Sequence, residues 1–177
     1  RDQYLAESVA QVDRLAAMVN DVLRSGSIAE QALHQEKRLR IDKLIAEVVD
    51  NYHLLAKTRG MTFAVNTELT TIRANHDMMR HVISNLVSNA VRHGDAGSVI
   101  TITCDQHELA IENACKPLTK QQLQHVFDPF YRADTQAKQS PNSSGIGLYT
   151  VKMLLDTKGL DYDFTPHGRG MRFIVKL

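Results

Sequence analysis

Only two cysteines and four prolines occur among the 177 residues, and tryptophan is absent. Cys104 and Cys115 make neither a disulfide framework nor a metal-ligand spacing, and they suit a reduced cytosolic setting. No apolar run is long enough to cross a bilayer, and no stretch reads as a signal peptide. The net charge of +1 gives no reason to expect nucleic acid or an anionic membrane as partner. What is present, 43% apolar and 23% charged residues, implies a folded globular unit of one domain with an extension. The chain opens on Arg1 rather than methionine, inside a helical pattern, and reads as a piece of a longer protein. Membrane contact is expected only through segments outside it.

Leu5, Val9, Val12, Leu15, Val19 and Val22 recur at steps of three and four, predicting an amphipathic helix over residues 1 to about 25 that Ser25-Gly-Ser27 ends. Such a stripe wants a partner helix, in the parent chain or in a second copy; the alternative is that it packs on its own domain. Beyond Leu33 the pattern is mixed. Leu39-Arg-Ile41 ends a short strand, and Asp42 caps a helix to about Thr58, which Gly60 stops. Met61 to Asn66 and Thr70 to Ala74 read as a strand pair. Asp77 caps a helix from about Met78 to His93. Strands follow at Val99 to Asp105 and Leu109 to Asn113, then a short helix opened by Thr119. Ala133 to Ser144 is polar and reads as a mobile loop. A helix after Gly145 and two strands around Gly168-Arg-Gly170 close the chain. This order predicts an α+β fold, a two-layer sandwich of one mixed β-sheet with helices on one face, preceded by the amphipathic helix.

Three segments carry chemistry. Ser143 to Leu155 takes a glycine-bearing turn into a helix, which aims free backbone N–H groups and partial positive charge at an anion. Asn85 and Asn89 stand one helical turn apart with Arg92 on the same side, while Val82, Ile83, Leu86, Val87, Ala90 and Val91 form the apolar side. Asparagine costs about 0.5 kcal/mol against alanine within a helix, so two invite a reason. Their amide oxygens could hold Mg²⁺ between phosphates; the other reading is a solvated polar face. The third segment is Phe127-Asp-Pro-Phe-Tyr-Arg132. Together the three point to a nucleotide.

In this order these segments resemble the sensor histidine kinases of two-component systems. His81 to His93 resembles their asparagine box, Phe127 to Arg132 their phenylalanine box, Ser143-Ser-Gly145-Ile-Gly147-Leu148 their second glycine box, and Gly168 to Phe173 the final glycine turn. The resemblance implies a Bergerat-type ATP-binding fold over residues 28–177, with residues 1–27 as the second helix of a dimerisation hairpin. It implies that Asn85 and Asn89 handle Mg²⁺ and phosphates and that Arg92 meets phosphate. By the same resemblance His93 sits near adenine or ribose and Arg132 reaches the γ-phosphate. Gly145, Ile146, Gly147 and Leu148 form the turn where backbone approaches phosphate. It further implies a response-regulator receiver domain and a second copy as partners, and a cytoplasmic location in a membrane-anchored parent.

Two departures qualify the resemblance. The first glycine box, with an aspartate for the adenine amino group and two glycines, aligns with Asn113, Cys115 and Pro117. Asn113 offers an amide oxygen without the charge, and Cys115 and Pro117 cannot take positive φ as glycine does, so another backbone path is expected. Ser143 stands where a glycine is usual. Second, no histidine has the acceptor setting of a following acid and then proline; His107-Glu-Leu109 echoes it, yet reads as a surface turn. The acceptor is expected upstream of Arg1, and the chain alone is not expected to phosphorylate itself. The function expected is transfer of the ATP γ-phosphoryl to that histidine for relay to a response-regulator aspartate. The alternatives are a nucleotide-binding-deficient scaffold, a phosphatase-biased sensor, or another ATPase of the same fold.

Overall fold

The computed structural model describes residues 35–133 and 145–177, with Val12, Ala16, Val19, Asn20, Leu23, Gly26 and Ser27 from the preceding segment. Those seven positions are helical and exposed. Gly26 and Ser27 therefore do not end the helix: glycine costs about 1 kcal/mol there but does not forbid helical backbone. Leu5, Val9, Leu15 and Val22 of the expected stripe lie outside the described residues, as does the expected loop at 134–144.

The order is β1 (Lys37–Arg40), α1 (Ile41–Thr58), β2 (Thr62–Thr67), β3 (Thr71–Ala74) and α2 (His76–His93). It continues with β4 (Val99–Cys104), β5 (Glu108–Ala114), α3 (Lys120–His125), α4 (Gly147–Lys158), β6 (Tyr162–His167) and β7 (Gly170–Lys176). Five strands form a mixed sheet in the order β2-β4-β5-β7-β6, with β2 and β4 parallel and the other neighbours antiparallel. The parallel pair needs a crossover, and α2 lies within it. β1 and β3 make a separate two-stranded sheet, Lys37 opposite Ala74. The expected pairing of residues 61–66 with 70–74 is therefore wrong. β2 lies along β4, and the Glu68 N–H extends that contact to the Cys104 carbonyl at 2.8 Å. The chain then leaves the sheet, and Ile41 donates to the Thr70 carbonyl at 3.0 Å.

Period-2 alternation turns Ile100, Ile102, Leu109, Ile111, Phe173 and Val175 toward the helices, all buried. The opposite face is polar where Arg172 lies 3.1 Å from both Glu108 and Glu112. α1 buries Ile41, Leu44, Ile45, Val48 and Val49; α2 buries Met78, Met79, Val82, Ile83, Leu86, Val87, Ala90 and Val91. α4 adds Val151, Leu154 and Leu155.

Helix starts differ from the sequence reading in two places. Asn75, not Asp77, caps α2 by accepting the Met78 N–H at 3.1 Å. Arg40 precedes α1 without a side-chain cap, and Asp42 sits in the first turn, accepting from Arg40 Nε at 2.7 Å. An acid favours the first turn through the helix dipole as well as the cap, so its presence marks the start only to within a turn. Thr119 and Gln122 form the capping box that opens α3.

The Arg40 hydrogen bonds hold the Asp42 carboxyl down to about 2, from an ordinary 3.8. A depressed carboxylate stabilises the fold above its unfolded value and loses that contribution as pH falls through the folded one. Acid unfolding followed by circular dichroism should show this loss between about 3.8 and about 2, and Asp42→Asn should remove it. In the core, Ile83→Ala should cost about 2–5 kcal/mol in urea unfolding.

Candidate functional site

Burial of the apolar side of α2 leaves Asn85, Ser88 and Asn89 half-buried and Arg92 exposed on its polar side. They form one wall of a cleft of about 600 Å³. The end of β5, the loop Lys116–Leu118, the segment Tyr131–Ala133 and the turn into α4 form the rest. Every residue singled out from sequence lines this one cleft: Asn85, Asn89, Arg92, His93, Asn113, Arg132, Gly145, Ile146, Gly147 and Leu148.

Asn85 is oriented within its own helix. Its Nδ2 donates to the His81 carbonyl at 2.9 Å, while its Oδ1 lies beside Gly147. A Cβ on Gly147 would stand 3.2 Å from that oxygen, so the start of α4 approaches α2 closely because it carries no side chain. Ile146, 2% exposed, anchors the turn. It supplies no side-chain cap, and among the described residues none caps the first N–H groups of α4, the donors that a helix start offers an anion.

Gly145 has a φ of 70° and is pressed against the backbone of Phe130 and Tyr131. A Cβ there would fall 2.9 Å from the Phe130 carbonyl carbon, and Phe130 N–H donates to the Gly145 carbonyl at 3.1 Å. Phe130 itself has positive φ, 66°. Phe127 anchors this stretch in the core edge-on against Tyr162, Phe164 and Phe173, with ring centroids 5.6, 6.4 and 6.2 Å away.

At the far end Asn113 pairs in register with Met171. A Cβ on Gly170 would overlap the Asn113 carbonyl, which explains a glycine at that corner. Burial pushes the Cys115 thiol upward from its usual value, and the neighbouring Asn113 side chain opposes that shift. Neither Cys115 nor Pro117 has positive φ, and the Leu118 N–H turns to the Met171 sulfur at 3.4 Å.

Sequence reasoning missed two contributors. Asp95 lines the cleft directly after Gly94, which had served only as a helix stop. Arg59 follows α1, and its guanidinium donates to the carbonyls of Val91, Arg92 at 2.7 Å and Gly94 at 2.9 Å. It satisfies the orphan carbonyls at the end of α2, where a cation is also favoured by the dipole. An arginine 33 residues from its target in sequence leaves no local pattern to read.

Among the described residues no three His, Cys, Asp or Glu side chains could together hold a metal ion. The oxygen donors that Asn85 and Asn89 bring to the cleft are neutral amides. That fits Mg²⁺, which takes few protein ligands and completes its shell with waters and ligand phosphates. His107 sits in the β4–β5 turn, its N–H bonded to Asp105 Oδ1 at 2.7 Å.

Removing the Arg59 clamp leaves three carbonyls without their charged donor. Arg59→Ala should lower unfolding stability by about 1–3 kcal/mol, and Arg59→Lys should recover only part of it. Urea unfolding of the two variants checks both.

The family of histidine kinase-, DNA gyrase B-, and HSP90-like ATPases matches residues 74–177. Sensor histidine protein kinase HK06 of Streptococcus pneumoniae is 31% identical over 176 residues, 99% of this chain and 39% of that protein. The chain thus spans about two fifths of the length of this curated relative. Among solved structures, histidine kinase AdeS of Acinetobacter baumannii superposes with a TM-score of 0.74 at 20% identity, covering 100% of this chain and 85% of that one. Histidine kinase ThkA, crystallised with response regulator protein TrrA, superposes with a TM-score of 0.72 at 18% identity, covering 99% and 50%.

Proposed function

The chain belongs to the histidine kinase-, DNA gyrase B-, and HSP90-like ATPase family, and on that premise we propose that its cleft binds Mg-ATP as the catalytic region of a sensor histidine kinase. The observation that carries this reading is the convergence of four separate segments on one cleft whose lining includes amide oxygens, guanidinium groups and a helix N-terminus. Phosphate would meet Arg92, Arg132 and the N–H groups after Gly145 as charge-assisted donors. Asn85 and Asn89 would hold Mg²⁺ through amide oxygens, and the bound ion offsets phosphate charge. His93, Asn113 and Leu148 would face the nucleoside.

The reaction proposed is transfer of the γ-phosphoryl to a histidine on a helix outside this chain. The bond from γ-phosphorus to the bridging oxygen of ADP breaks, and a bond to an imidazole nitrogen forms. No cleft residue is placed as a general base for this step, so the contribution of these residues is positioning and charge stabilisation. Residues 1–27 would belong to the dimerisation hairpin and 28–177 to the catalytic domain. Relay to a receiver aspartate follows the pattern of ThkA, which binds the response regulator TrrA.

A second reading, a scaffold with little nucleotide affinity, draws support from Cys115 and Pro117, which give the adenine-side loop no left-handed turn. Calorimetric titration separates the two. Mg-ADP should bind in the high micromolar range, at about −5 to −6 kcal/mol. Asn89→Ala should abolish the Mg²⁺ dependence of binding while leaving the melting temperature nearly unchanged. Equal affinity in parent and variant, with Mg²⁺ dependence retained, would remove Asn89 from the site.

A further inference from the structure

The base end of the cleft holds a carboxylate that the asparagine and glycine boxes do not include. Asp95 follows the last turn of α2, lines the same cleft as Asn113, Cys115 and Met171, and also borders a shallower hollow beside it. Its backbone is tied on three sides. The Asp95 N–H donates to the Ala114 carbonyl at 2.8 Å, locking it to the end of β5. The preceding carbonyl, of Gly94, is gripped by Arg59. Ser98 Oγ and N–H both donate to the Asp95 carbonyl, at 2.6 and 3.2 Å. Gly94 is wedged here because a Cβ would stand 2.5 Å from Met61 Cε and 2.6 Å from the Ala90 carbonyl. The Asp95 position is therefore fixed by main-chain contacts that its side chain does not share.

The carboxylate itself is exposed. Among the described residues no cation pairs with Asp95 and no donor bonds its side chain. Asn113 and Asp95 both stand close enough to the Cys115 thiol to influence it, Asp95 through its charge. A carboxylate accepts only, and it accepts from an amino group more strongly than a neutral amide does.

We propose that Asp95 is the base-recognising carboxylate of the cleft, accepting a hydrogen bond from the exocyclic amino group of adenine where Asn113 offers only an amide. The assignment rests on the nucleotide reading above and adds to it the residue that sets base preference. It accounts for an asparagine at position 113 without loss of an adenine-selective acceptor: the negative charge is supplied by the neighbouring residue that follows α2 and is tied to Ala114.

The test compares ATP with ITP, whose 6-oxo group cannot donate, by titration of the full chain and of two variants. The parent should bind ATP about tenfold more tightly than ITP, the ratio a charged hydrogen bond supplies. Asp95→Asn keeps every main-chain contact and the turn, and its amide can donate to the 6-oxo group. It should bring the two affinities within about threefold, with ITP binding no weaker than in the parent. Asn113→Ala should keep the preference for ATP. An Asp95→Asn variant that discriminates as the parent does, or an Asn113→Ala variant that loses discrimination, would overturn the assignment. If the parent binds neither nucleotide, the nucleotide reading itself fails.

Discussion

Burial of one side of α2 is the constraint on which the rest of the structure depends. Eight apolar side chains of this helix are buried between α1, α4 and the sheet. At about 1.5–3 kcal/mol for each large side chain, that burial far outweighs the fraction of a kcal/mol that each mid-helix asparagine costs. Once the apolar side is fixed, the helical period leaves no freedom for Asn85, Asn89 and Arg92. They must face the gap between α2 and the start of α4. The functional wall is a consequence of core packing.

Three close approaches then close the cleft around that wall. Gly147 lets α4 come up to Asn85 Oδ1, Gly145 lets Phe130 cross behind the turn, and Gly170 lets β7 pass the Asn113 carbonyl. At Gly145 and Gly170 a methyl group would occupy space that a neighbouring backbone atom already fills, and at Gly147 it would press on Asn85 Oδ1 at 3.2 Å. Arg59 supplies the complementary electrostatic contact, a cation held at the negative end of α2. The start of α4 stands beside Asn85, and the Asp95 carboxylate follows the last turn of α2, where Arg59 grips the carbonyl before it. The cleft thus carries both cationic and anionic groups along one helix.

Much of this was legible in the residue order. Periodicity located α2 and its polar stripe, and the Phe127 to Arg132 and Gly145 to Leu148 segments marked the cleft before any geometry was known. The failures have physical causes. Asp42 and Asp77 were read as caps because an acid is favourable anywhere in the first turn of a helix. The strands at Thr62–Thr67 and Thr71–Ala74 were paired because they are neighbours in sequence, whereas β2 finds a parallel partner across a helical crossover. Asp95 and Arg59 left no signal because their roles come from tertiary contacts. An aspartate after glycine reads as an ordinary turn, and nothing local ties Arg59 to carbonyls more than thirty residues away.

The central claim is that the polar face of α2 and the Gly145 turn hold one nucleotide between them. Amide and asparagine side-chain resonances in a ¹⁵N-labelled sample, recorded while Mg-ADP is added, test it most directly. The account predicts saturable shifts at the side-chain amides of Asn85 and Asn89 and at the backbone amides of Gly145 to Leu148. Thr101, Thr103 and Ile174, on the strands away from the cleft, should stay unchanged. Shifts confined to that sheet, or no response from the two asparagines at saturation, would contradict it.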